Sequence, residues 1–310
     1  MPDKFLQATT LDEALAFASH EPNSVFVAGG TDVLVNRMQG NVASTALIDI
    51  TGIESLKKIE QHGNMLSIGS LVTLSNIIQH KEIQNHFPAL VEAANSVATP
   101  VIRRTATLGG NILCENRCEY YNQSAWWRKA VGYCLKCDGK ICIATKGKEN
   151  CYSKFVSDTA PVLIAYKAQI TLTGKKGEEV VPLETLYSGD GVNPIKKEKD
   201  VILKNILLPL NVHFRAVFKK LRPRKSLDFT SVSTAVSIGD TDELRIVIGG
   251  ADPMPVLIVA SRNDDITQLI KMAVQKPRII KNDYYSRPYR KKMMERFIRV
   301  SLDTLNLSEN

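Results

Sequence analysis

The stretch of sequence that is most informative about the fold is Val27-Ala28-Gly29-Gly30-Thr31-Asp32. It follows a short apolar segment typical of a strand, and Thr31-Asp32 can cap a helical segment from Val33 to Met38. Paired glycines let the backbone adopt positive φ and approach a ligand closely. Successive backbone N–H groups can then cradle a pyrophosphate, to which Thr31 adds a hydroxyl donor. A glycine pair after a strand is more often a simple turn, so this stretch alone leaves both interpretations open.

A second stretch with the same chemistry is Ala106-Thr107-Leu108-Gly109-Gly110-Asn111-Ile112. It again offers a hydroxyl group, two glycines and a side-chain amide. By itself this stretch is no more specific than the first. A dinucleotide needs several backbone contacts along its length, so two such loops in one chain favour dinucleotide binding more than either loop alone.

Outward from these loops, helical and strand patterns follow one another without a regular βαβ series, which argues against a Rossmann fold. A capping-box pattern at Thr10-Leu11-Asp12-Glu13 predicts the first helix. A hairpin is predicted from Ile59 to Ile68. A strand-rich block then covers 214–219, 230–238 and 243–248, and is followed by helices over 265–274 and 287–302. This mixed order predicts an α+β protein with at least two domains and an insert.

The six cysteines of the chain all lie between residues 114 and 151: Cys114, Cys118, Cys134, Cys137, Cys142 and Cys151. Clustered cysteines in an intracellular protein favour a metal site over disulfides. The spacings of Cys114 to Cys118 and of Cys134 to Cys137 fit a structural zinc site, which spacing alone favours. Four thiolates are also the usual ligands of a 4Fe-4S cluster.

Composition sets the broad class of protein. The chain has 310 residues, with 44% apolar and 23% charged residues, as is ordinary for a soluble globular protein. No apolar run is long enough to span a membrane, and the N-terminus lacks a secretory h-region, so we expect a cytoplasmic protein without a membrane partner. The net charge of +8 is spread along the chain except for a basic segment over 286–299. No nucleic-acid-binding motif accompanies it, so we expect no nucleic-acid partner and interpret the segment as a solvated face or a protein contact.

The two glycine loops, followed by Ser157-Asp158-Thr159-Ala160-Pro161, resemble the FAD-binding subunits of the xanthine dehydrogenase and molybdenum hydroxylase superfamily. Weaker similarities occur in the same order over 99–103, 200–209 and 248–255. The resemblance implies an α+β fold with a two-part FAD-binding domain of the molybdenum hydroxylase (PCMH/vanillyl-alcohol-oxidase-like) type, a cysteine-rich insert and a C-terminal three-stranded sheet with helices. The implied domains are residues 1–57 and 58–210, which would bind FAD, with the insert at 114–156, and an α+β domain over 211–310.

The resemblance also implies which residues contact FAD. The first loop would hold the pyrophosphate, the second loop would form another contact, and Asp158 would lie near the adenosine or phosphate side. Leu203 and Lys219 would lie near the isoalloxazine. The residues so assigned are Val27, Ala28, Gly29, Gly30, Thr31, Asp32, Val33, Thr107, Gly109, Gly110, Asn111, Asp158, Leu203 and Lys219. Asp158 could instead cap a helix, and Lys219 could be a surface lysine.

Ordinary members of this superfamily lack the long cysteine-rich segment, which is similar to that of the β subunits of 4-hydroxybenzoyl-CoA reductases. That similarity implies a 4Fe-4S cluster on Cys118, Cys134, Cys142 and Cys151 and leaves the roles of Cys114 and Cys137 open. It further implies an electron-transfer subunit without catalytic residues of its own. Its partners would be a large molybdopterin subunit, a small 2Fe-2S subunit and ferredoxin as electron donor, in a dimer of heterotrimers.

Two alternatives stay open from the sequence. One is the FAD subunit of an oxidative hydroxylase similar to xanthine or nicotinate dehydrogenase. The other is a zinc-stabilised binding module without a redox role.

Overall fold

Three β-sheets organise the chain in the computed structural model, which describes residues 4–307. The first sheet is parallel, with the order β1 (Lys4–Gln7), β3 (Ala46–Asp49) and β2 (Ser24–Val27). Helix α1 (Leu11–His20) connects β1 to β2, and α2 (Val33–Met38) connects β2 to β3. Strand β1 was not predicted from the sequence; it is short and largely exposed, and it converts this part of the chain into a small βαβαβ unit. The N-cap half of the predicted capping box of α1 is confirmed, because the Thr10 hydroxyl accepts a hydrogen bond from the Glu13 N–H at 3.1 Å, whereas the Glu13 carboxylate accepts from the N–H of Thr9.

The second sheet is antiparallel and joins residues from two distant parts of the chain, in the order β4-β5-β8-β6-β7. Its strands are β4 (Ile59–His62), β5 (Met65–Gly69), β6 (Gln169–Gly174), β7 (Gly177–Pro182) and β8 (Ile202–Pro209). The predicted hairpin is confirmed, since β4 and β5 pair directly. In sequence, β5 and β6 are separated by a series of helices and by the cysteine-rich insert, but β8 pairs with both of them. The chain before the insert and the chain after it therefore belong to one sheet.

Short helices fill the sequence between β5 and β6. They are α3 (Leu74–Gln79), α4 (Lys81–His86), α5 (Pro88–Ser96), α6 (Pro100–Arg103), α7 (Leu108–Ile112), α8 (Ala125–Val131) and α9 (Thr159–Ala165). Single 3-10 turns occur at Glu54–Lys57, Leu135–Cys137 and Leu183–Leu186. Every residue of α9 is buried, because this helix packs against the third sheet on one side and against α5 and α7 on the other.

The third sheet has four antiparallel strands where the sequence analysis expected three. They are β9 (Arg215–Leu221), β10 (Val232–Ile238), β11 (Glu243–Gly249) and β12 (Val256–Ser261), in the order β12-β11-β10-β9. The edge strand β12 was missed because prolines at 253 and 255 precede it, and proline is a signal for a loop. Helices α10 (Ile266–Gln275) and α11 (Arg287–Thr304) then cover one face, as predicted.

Three hydrophobic clusters hold these layers together. The largest lies between the second sheet, the helices and one face of the third sheet, where Phe218, Ala235 and Val247 point towards α9. The opposite face of the third sheet packs on α10 and α11. A smaller cluster connects the parallel sheet to Leu71 and Ile202. This arrangement confirms the α+β fold.

The domain ranges 1–57, 58–210 and 211–310, with the insert over 114–156, stay predictions. The outermost residues of the first and third ranges, 1–3 and 308–310, lie outside the described residues. Among the helices of residues 4–307, none combines the length and the apolar character that a membrane span requires.

Candidate functional site

The first glycine loop connects the end of β2 to the start of α2 and leaves a run of backbone donors unused. From Gly29 to Val33, the five backbone N–H groups donate no hydrogen bond to any other part of residues 4–307. Gly30 has φ of +68°, a conformation that favours glycine. Consecutive free N–H groups in such a turn form an anion-binding concavity. The chemistry of this loop therefore fits the pyrophosphate of a dinucleotide.

The other residues predicted for this loop have different surroundings. Val27 is the buried last residue of β2, and Ala28 packs against the smaller hydrophobic cluster. Thr31 is exposed, so its hydroxyl is accessible to a ligand. The carboxylate of Asp32 is already engaged: it accepts from the Glu115 N–H at 2.9 Å and forms a salt bridge with Arg117. Asp32 can therefore offer a ligand its backbone N–H but not a free carboxylate.

The second glycine loop lies beside the first, and backbone contact joins them. A β-carbon on Gly29 would lie 1.8 Å from the carbonyl oxygen of Thr105, so only glycine fits at position 29. The structure thus brings together the two loops that the sequence analysis paired. Gly109 is equally constrained, because a β-carbon there would lie 2.6 Å from the Ser70 side chain.

Unlike the first loop, the second loop uses most of its hydrogen-bonding groups internally. The N–H groups of Leu108, Gly109 and Gly110 bond to Val72 O, Ser70 O and the Thr107 hydroxyl, respectively. The side-chain oxygen of Asn111 accepts from the hydroxyls of Ser157 and Thr159, both at 2.7 Å. The loop therefore positions the start of α9, and a contact of Thr107, Gly109, Gly110 and Asn111 with FAD stays a prediction.

Asp158 lies at the start of α9 but does not cap it through its side chain. Its carboxylate instead forms a salt bridge with Lys220 at 2.5 Å, and both side chains are almost completely buried. Burial raises the pKa of Asp158, and the charge of Lys220 opposes that shift. The second carboxylate oxygen, Asp158 Oδ1, is buried without a partner among the described residues. Such an orphaned acceptor is compatible with a bound ligand group.

Of two neighbouring lysines on β9, Lys219 was predicted to lie near the isoalloxazine, and Lys220 is the one that contacts Asp158. Successive side chains of a strand point to opposite faces. Phe218 and Lys220 share the face towards α9, whereas Lys219 has the direction of Val217 and Leu221, which pack with α10 and α11. Leu203 is buried in β8 within the main cluster. Contacts of Lys219 and Leu203 with the isoalloxazine stay predictions.

The four cysteines implied as cluster ligands surround one small cavity. Its lining includes Cys118, Cys134, Cys142 and Cys151, together with Tyr121, Leu135 and Ile143. Three of the four thiols are buried, and Cys118 is half-buried. Burial raises the pKa of Cys118 to about 12. A hydrogen bond with the Cys137 thiol lowers the pKa of Cys134 to about 6.

Cys114 and Cys137 have separate roles in the structure. Cys114 does not line the cavity and packs against the main hydrophobic cluster. Cys137 contacts Cys134 from outside the set of four. Within residues 4–307, no three His, Cys, Asp or Glu side chains converge closely enough to hold a single metal ion. A four-iron cluster takes one thiolate on each iron, so its ligands stand further apart than those of one ion. The four thiols that line the cavity match the number of ligands of such a cluster, and a cluster on them stays a prediction.

A second, larger opening adjoins the cysteine cavity. This cleft of about 540 Å³ is lined by residues of the insert and by Arg278, Ile280 and Arg287 of the C-terminal part. Tyr152 and Ile280 line both openings and so form the wall between them. Lys148 adds a third cation to the cleft, against the single carboxylate of Glu149.

Comparison with known proteins agrees with this geometry. Residues 2–211 match the family described as FAD binding domain in molybdopterin dehydrogenase. The xanthine dehydrogenase FAD-binding subunit of Escherichia coli O157:H7 is 28% identical over 257 residues, which cover 81% of this chain and 74% of that protein. The aldehyde oxidoreductase FAD-binding subunit PaoB of Escherichia coli K12 is 27% identical over 265 residues, covering 82% and 83%.

Among solved structures, one chain of the carbon monoxide dehydrogenase from Hydrogenophaga pseudoflava superimposes with a TM-score of 0.77. The match covers 98% of this chain and 96% of that one at 18% identity. At this level of identity the match concerns the fold.

Proposed function

This chain belongs to the family of FAD-binding domains of molybdopterin dehydrogenases, and on that premise we propose that it binds FAD with the pyrophosphate at Gly29–Val33. The observation that carries the proposal is the run of five free backbone N–H groups in a loop that begins at a glycine pair, of which Gly30 has positive φ. Thr31 adds an accessible hydroxyl donor. Asp158, with one unpaired oxygen, would face the adenosine or phosphate side of the cofactor. FAD, once bound, can exchange one or two electrons and so connect one-electron and two-electron centres.

The same chain would hold a 4Fe-4S cluster on Cys118, Cys134, Cys142 and Cys151. The support for this step is that these four thiols, and neither of the other two, line one cavity in the insert. Leu135, Ile143 and the ring of Tyr121 are among the apolar groups that also line it. A buried position and hydrogen bonds to sulfur are the means by which a protein sets the potential of such a cluster.

No residue of this chain is proposed to act on substrate. The chain's groups would orient FAD, exclude water from the cysteine cavity and fix the relative position of the two. The substrate chemistry would lie on a large molybdopterin subunit, reached through a small 2Fe-2S subunit, in a dimer of heterotrimers.

For the overall reaction we propose the reductive dehydroxylation of 4-hydroxybenzoyl-CoA to benzoyl-CoA. Two electrons from two reduced ferredoxins and two protons would release the phenolic hydroxyl as water. The cleft beside the cysteine cavity supports an acidic electron donor, because Lys148 and Arg287 line the opening nearest to the four thiols, together with Arg278, which is paired with Asp252. Complementary charge steers such encounters and makes them sensitive to ionic strength.

A second candidate is the FAD subunit of an oxidative hydroxylase, in which electrons leave the molybdenum subunit through this chain. The names of the relatives, a xanthine dehydrogenase and an aldehyde oxidoreductase subunit, favour it. The cysteine cavity favours the reductase, since a hydroxylase does not need an additional entry point for electrons.

The test is anaerobic purification of the full chain, followed by assays of flavin, iron, sulfide and zinc and by a visible spectrum. We expect one FAD with about four iron and four sulfide per chain. FAD without metal would overturn the cluster and favour the hydroxylase. One zinc without flavin or iron would contradict both cofactor assignments and favour a zinc-stabilised module.

A further inference from the structure

Helix α2, which directly follows the proposed pyrophosphate loop, has little packing of its own. It is only six residues long, and none of its residues belongs to the three hydrophobic clusters of residues 4–307. Its apolar side chains Leu34, Val35 and Met38 are exposed, Met38 at 89%. An isolated helix of this length is not stable in water. Apart from the buried Asn36 and the hydrogen bonds of Arg37 with Ser44, contacts at its two ends hold it in position.

At the N-terminal end, the cysteine-rich insert holds Asp32. The carboxylate of Asp32 makes no capping hydrogen bond to its own helix. One oxygen accepts from the Glu115 N–H at 2.9 Å, and the other forms a salt bridge with Arg117, whose side chain is 12% exposed. Arg117 directly precedes Cys118, the first proposed cluster ligand. A charged pair thus connects the proposed FAD loop to the proposed cluster site.

At the C-terminal end, a second arginine of the insert holds the chain that leaves α2. Arg128 lies on α8 and is 5% exposed. It donates to Gln39 O at 2.9 Å, to Gly40 O at 3.3 Å and to the side chain of Asn41. It also donates to Tyr121 O and Gln123 O within the insert. None of these five acceptors is a carboxylate, so the guanidinium is held in place by the arrangement of two backbone segments.

The insert itself lacks a hydrophobic core. Between residues 115 and 153, no side chain belongs to any of the three clusters of the described chain. Its regular structure is limited to the seven residues of α8 and a 3-10 turn. In modules with so little apolar packing, the free energy of metal binding supplies the free energy of folding. The position of Arg128 would then depend on the metal held by the cysteines, and so would that of the Arg117 side chain, although the Arg117 backbone is also anchored by its bridge with Lys154.

We propose that Arg117 and Arg128 are positioning residues through which the cysteine-rich insert fixes both ends of α2, so that FAD binding and cluster retention stabilise each other. The inference rests on the proposed function, because it takes FAD at Gly29–Val33 and a metal cluster at the four cysteines. Binding linkage is reciprocal: if the ordered insert tightens FAD binding, bound FAD protects the cluster by the same factor.

The experiment measures the FAD dissociation constant of the deflavinated full chain by quenching of flavin fluorescence. The metal-loaded wild type is compared with the Cys142→Ser variant and with wild type stripped by an oxidant and a chelator. We expect FAD binding to weaken by about tenfold in both metal-free forms, within the usual range of coupling between sites. The stripped wild type keeps the comparison valid if Cys142→Ser fails to fold.

The arginines are tested in the metal-loaded protein. Arg117→Met and Arg128→Met should each weaken FAD binding and should abolish the protection that FAD gives against loss of iron to a chelator. Arg117→Lys, which keeps a cation beside Asp32, should restore part of both effects. Arg299→Met is the matched control, because Arg299 is a half-exposed arginine paired with Glu295 on α11; it should change neither.

The outcomes separate this inference from the proposed function. Equal FAD affinity in metal-loaded and metal-free chains would overturn the coupling while leaving FAD binding intact. Protection of iron by FAD that persists in Arg117→Met and Arg128→Met would overturn the role of the arginines. No FAD binding in any form would overturn the proposed function and the coupling with it.

Discussion

The ammonium group of Lys220 lies 2.5 Å from the carboxylate of Asp158, and this pair connects the third sheet to the N-terminus of α9 with both side chains at least nine-tenths buried. Lys220 also donates to Ser96 O at 3.1 Å at the end of α5. One buried cation therefore joins β9, α9 and α5 at the position where the main hydrophobic cluster meets the proposed FAD site.

Lys220→Met should destabilise the protein strongly, because it leaves the Asp158 carboxylate buried without a counterion. Breaking a buried pair in this way costs about 3–5 kcal/mol in the free energy of unfolding. Urea unfolding at pH 7 measures the loss. Lys204→Met, which removes an exposed partner of Glu178, is the control and should cost less than about 1 kcal/mol. Equal effects of the two substitutions would contradict the assigned role of Lys220.

The Lys220→Met deficit should also depend on pH. Burial raises the pKa of Asp158 in the folded state, and without Lys220 nothing nearby opposes this shift as strongly. A carboxyl group with a raised folded-state pKa contributes stability below its unfolded-state pKa, and this contribution is lost as pH rises through the folded-state value. Unfolding at pH 5 should therefore show a smaller deficit than at pH 7. A deficit that grows on acidification would exclude Asp158 as its source.

Lys154 and Asp283 form a second buried salt bridge, and its pH dependence should have the opposite direction. Burial raises the pKa of Asp283, but the charge and hydrogen bond of Lys154 outweigh it, so that the pKa falls below its ordinary value. This group contributes stability above its unfolded-state pKa of about 3.9, and the contribution is lost as pH falls through the lower folded-state value. Asp283→Asn should therefore unfold more easily than wild type at pH 6, with the difference shrinking below about pH 4. Circular dichroism measures the unfolding of both proteins across this pH range. A difference in stability that does not change with pH would contradict the prediction.

Gly29→Ala should disrupt the contact between the two glycine loops. The added β-carbon would overlap the Thr105 carbonyl oxygen, which is backbone and cannot rotate away. We expect a loss of about 1–3 kcal/mol in unfolding free energy, as for other overpacked sites, and FAD binding weaker by at least about tenfold. The control is Gly147→Ala, whose β-carbon would meet only the Thr145 hydroxyl, at 3.3 Å. FAD titration of both variants checks the prediction, and equal affinities would contradict it.

Cys142→Ser and Cys114→Ser should differ in their effect on bound metal. Cys142 lines the cysteine cavity, whereas Cys114 packs against the main hydrophobic cluster. Loss of one of four thiolates should remove most of the iron and sulfide in Cys142→Ser, while Cys114→Ser should keep about four of each. Chemical assays and the visible spectrum make the comparison. Equal iron contents in the two variants would show that the cysteines lining the cavity are not the ones that bind iron.

The sequence predicted those parts of the structure that depend on local patterns. The N-cap at Thr10 and the hairpin of β4 and β5 are examples, because the residues involved are neighbours in the chain. The buried contact of Lys220 with Asp158 could not be predicted in this way. It depends on which face of β9 meets α9, and that is decided by long-range packing of Phe218.

The candidate site shows the same limit. The glycine pairs and the cysteines can be identified in the sequence, but the contacts that they and their neighbours make in space cannot. Asp32 and Arg117 are 85 positions apart, and nothing in either local pattern indicates that they form a salt bridge. The free N–H groups of Gly29–Val33 are likewise known only once the acceptors around them are placed.

The insert begins and ends at nearly the same point in space. Arg117 and Lys154 form an antiparallel bridge with two backbone hydrogen bonds, of 2.9 Å and 2.8 Å. A segment closed at its base in this way can be exchanged for a short turn without moving the strands and helices on either side. In evolutionary terms, an ancestral flavoprotein could acquire or discard the cysteine module in a single insertion or deletion, and only the side chains along its border, such as Asp32 and Asn41, would need to adapt afterwards.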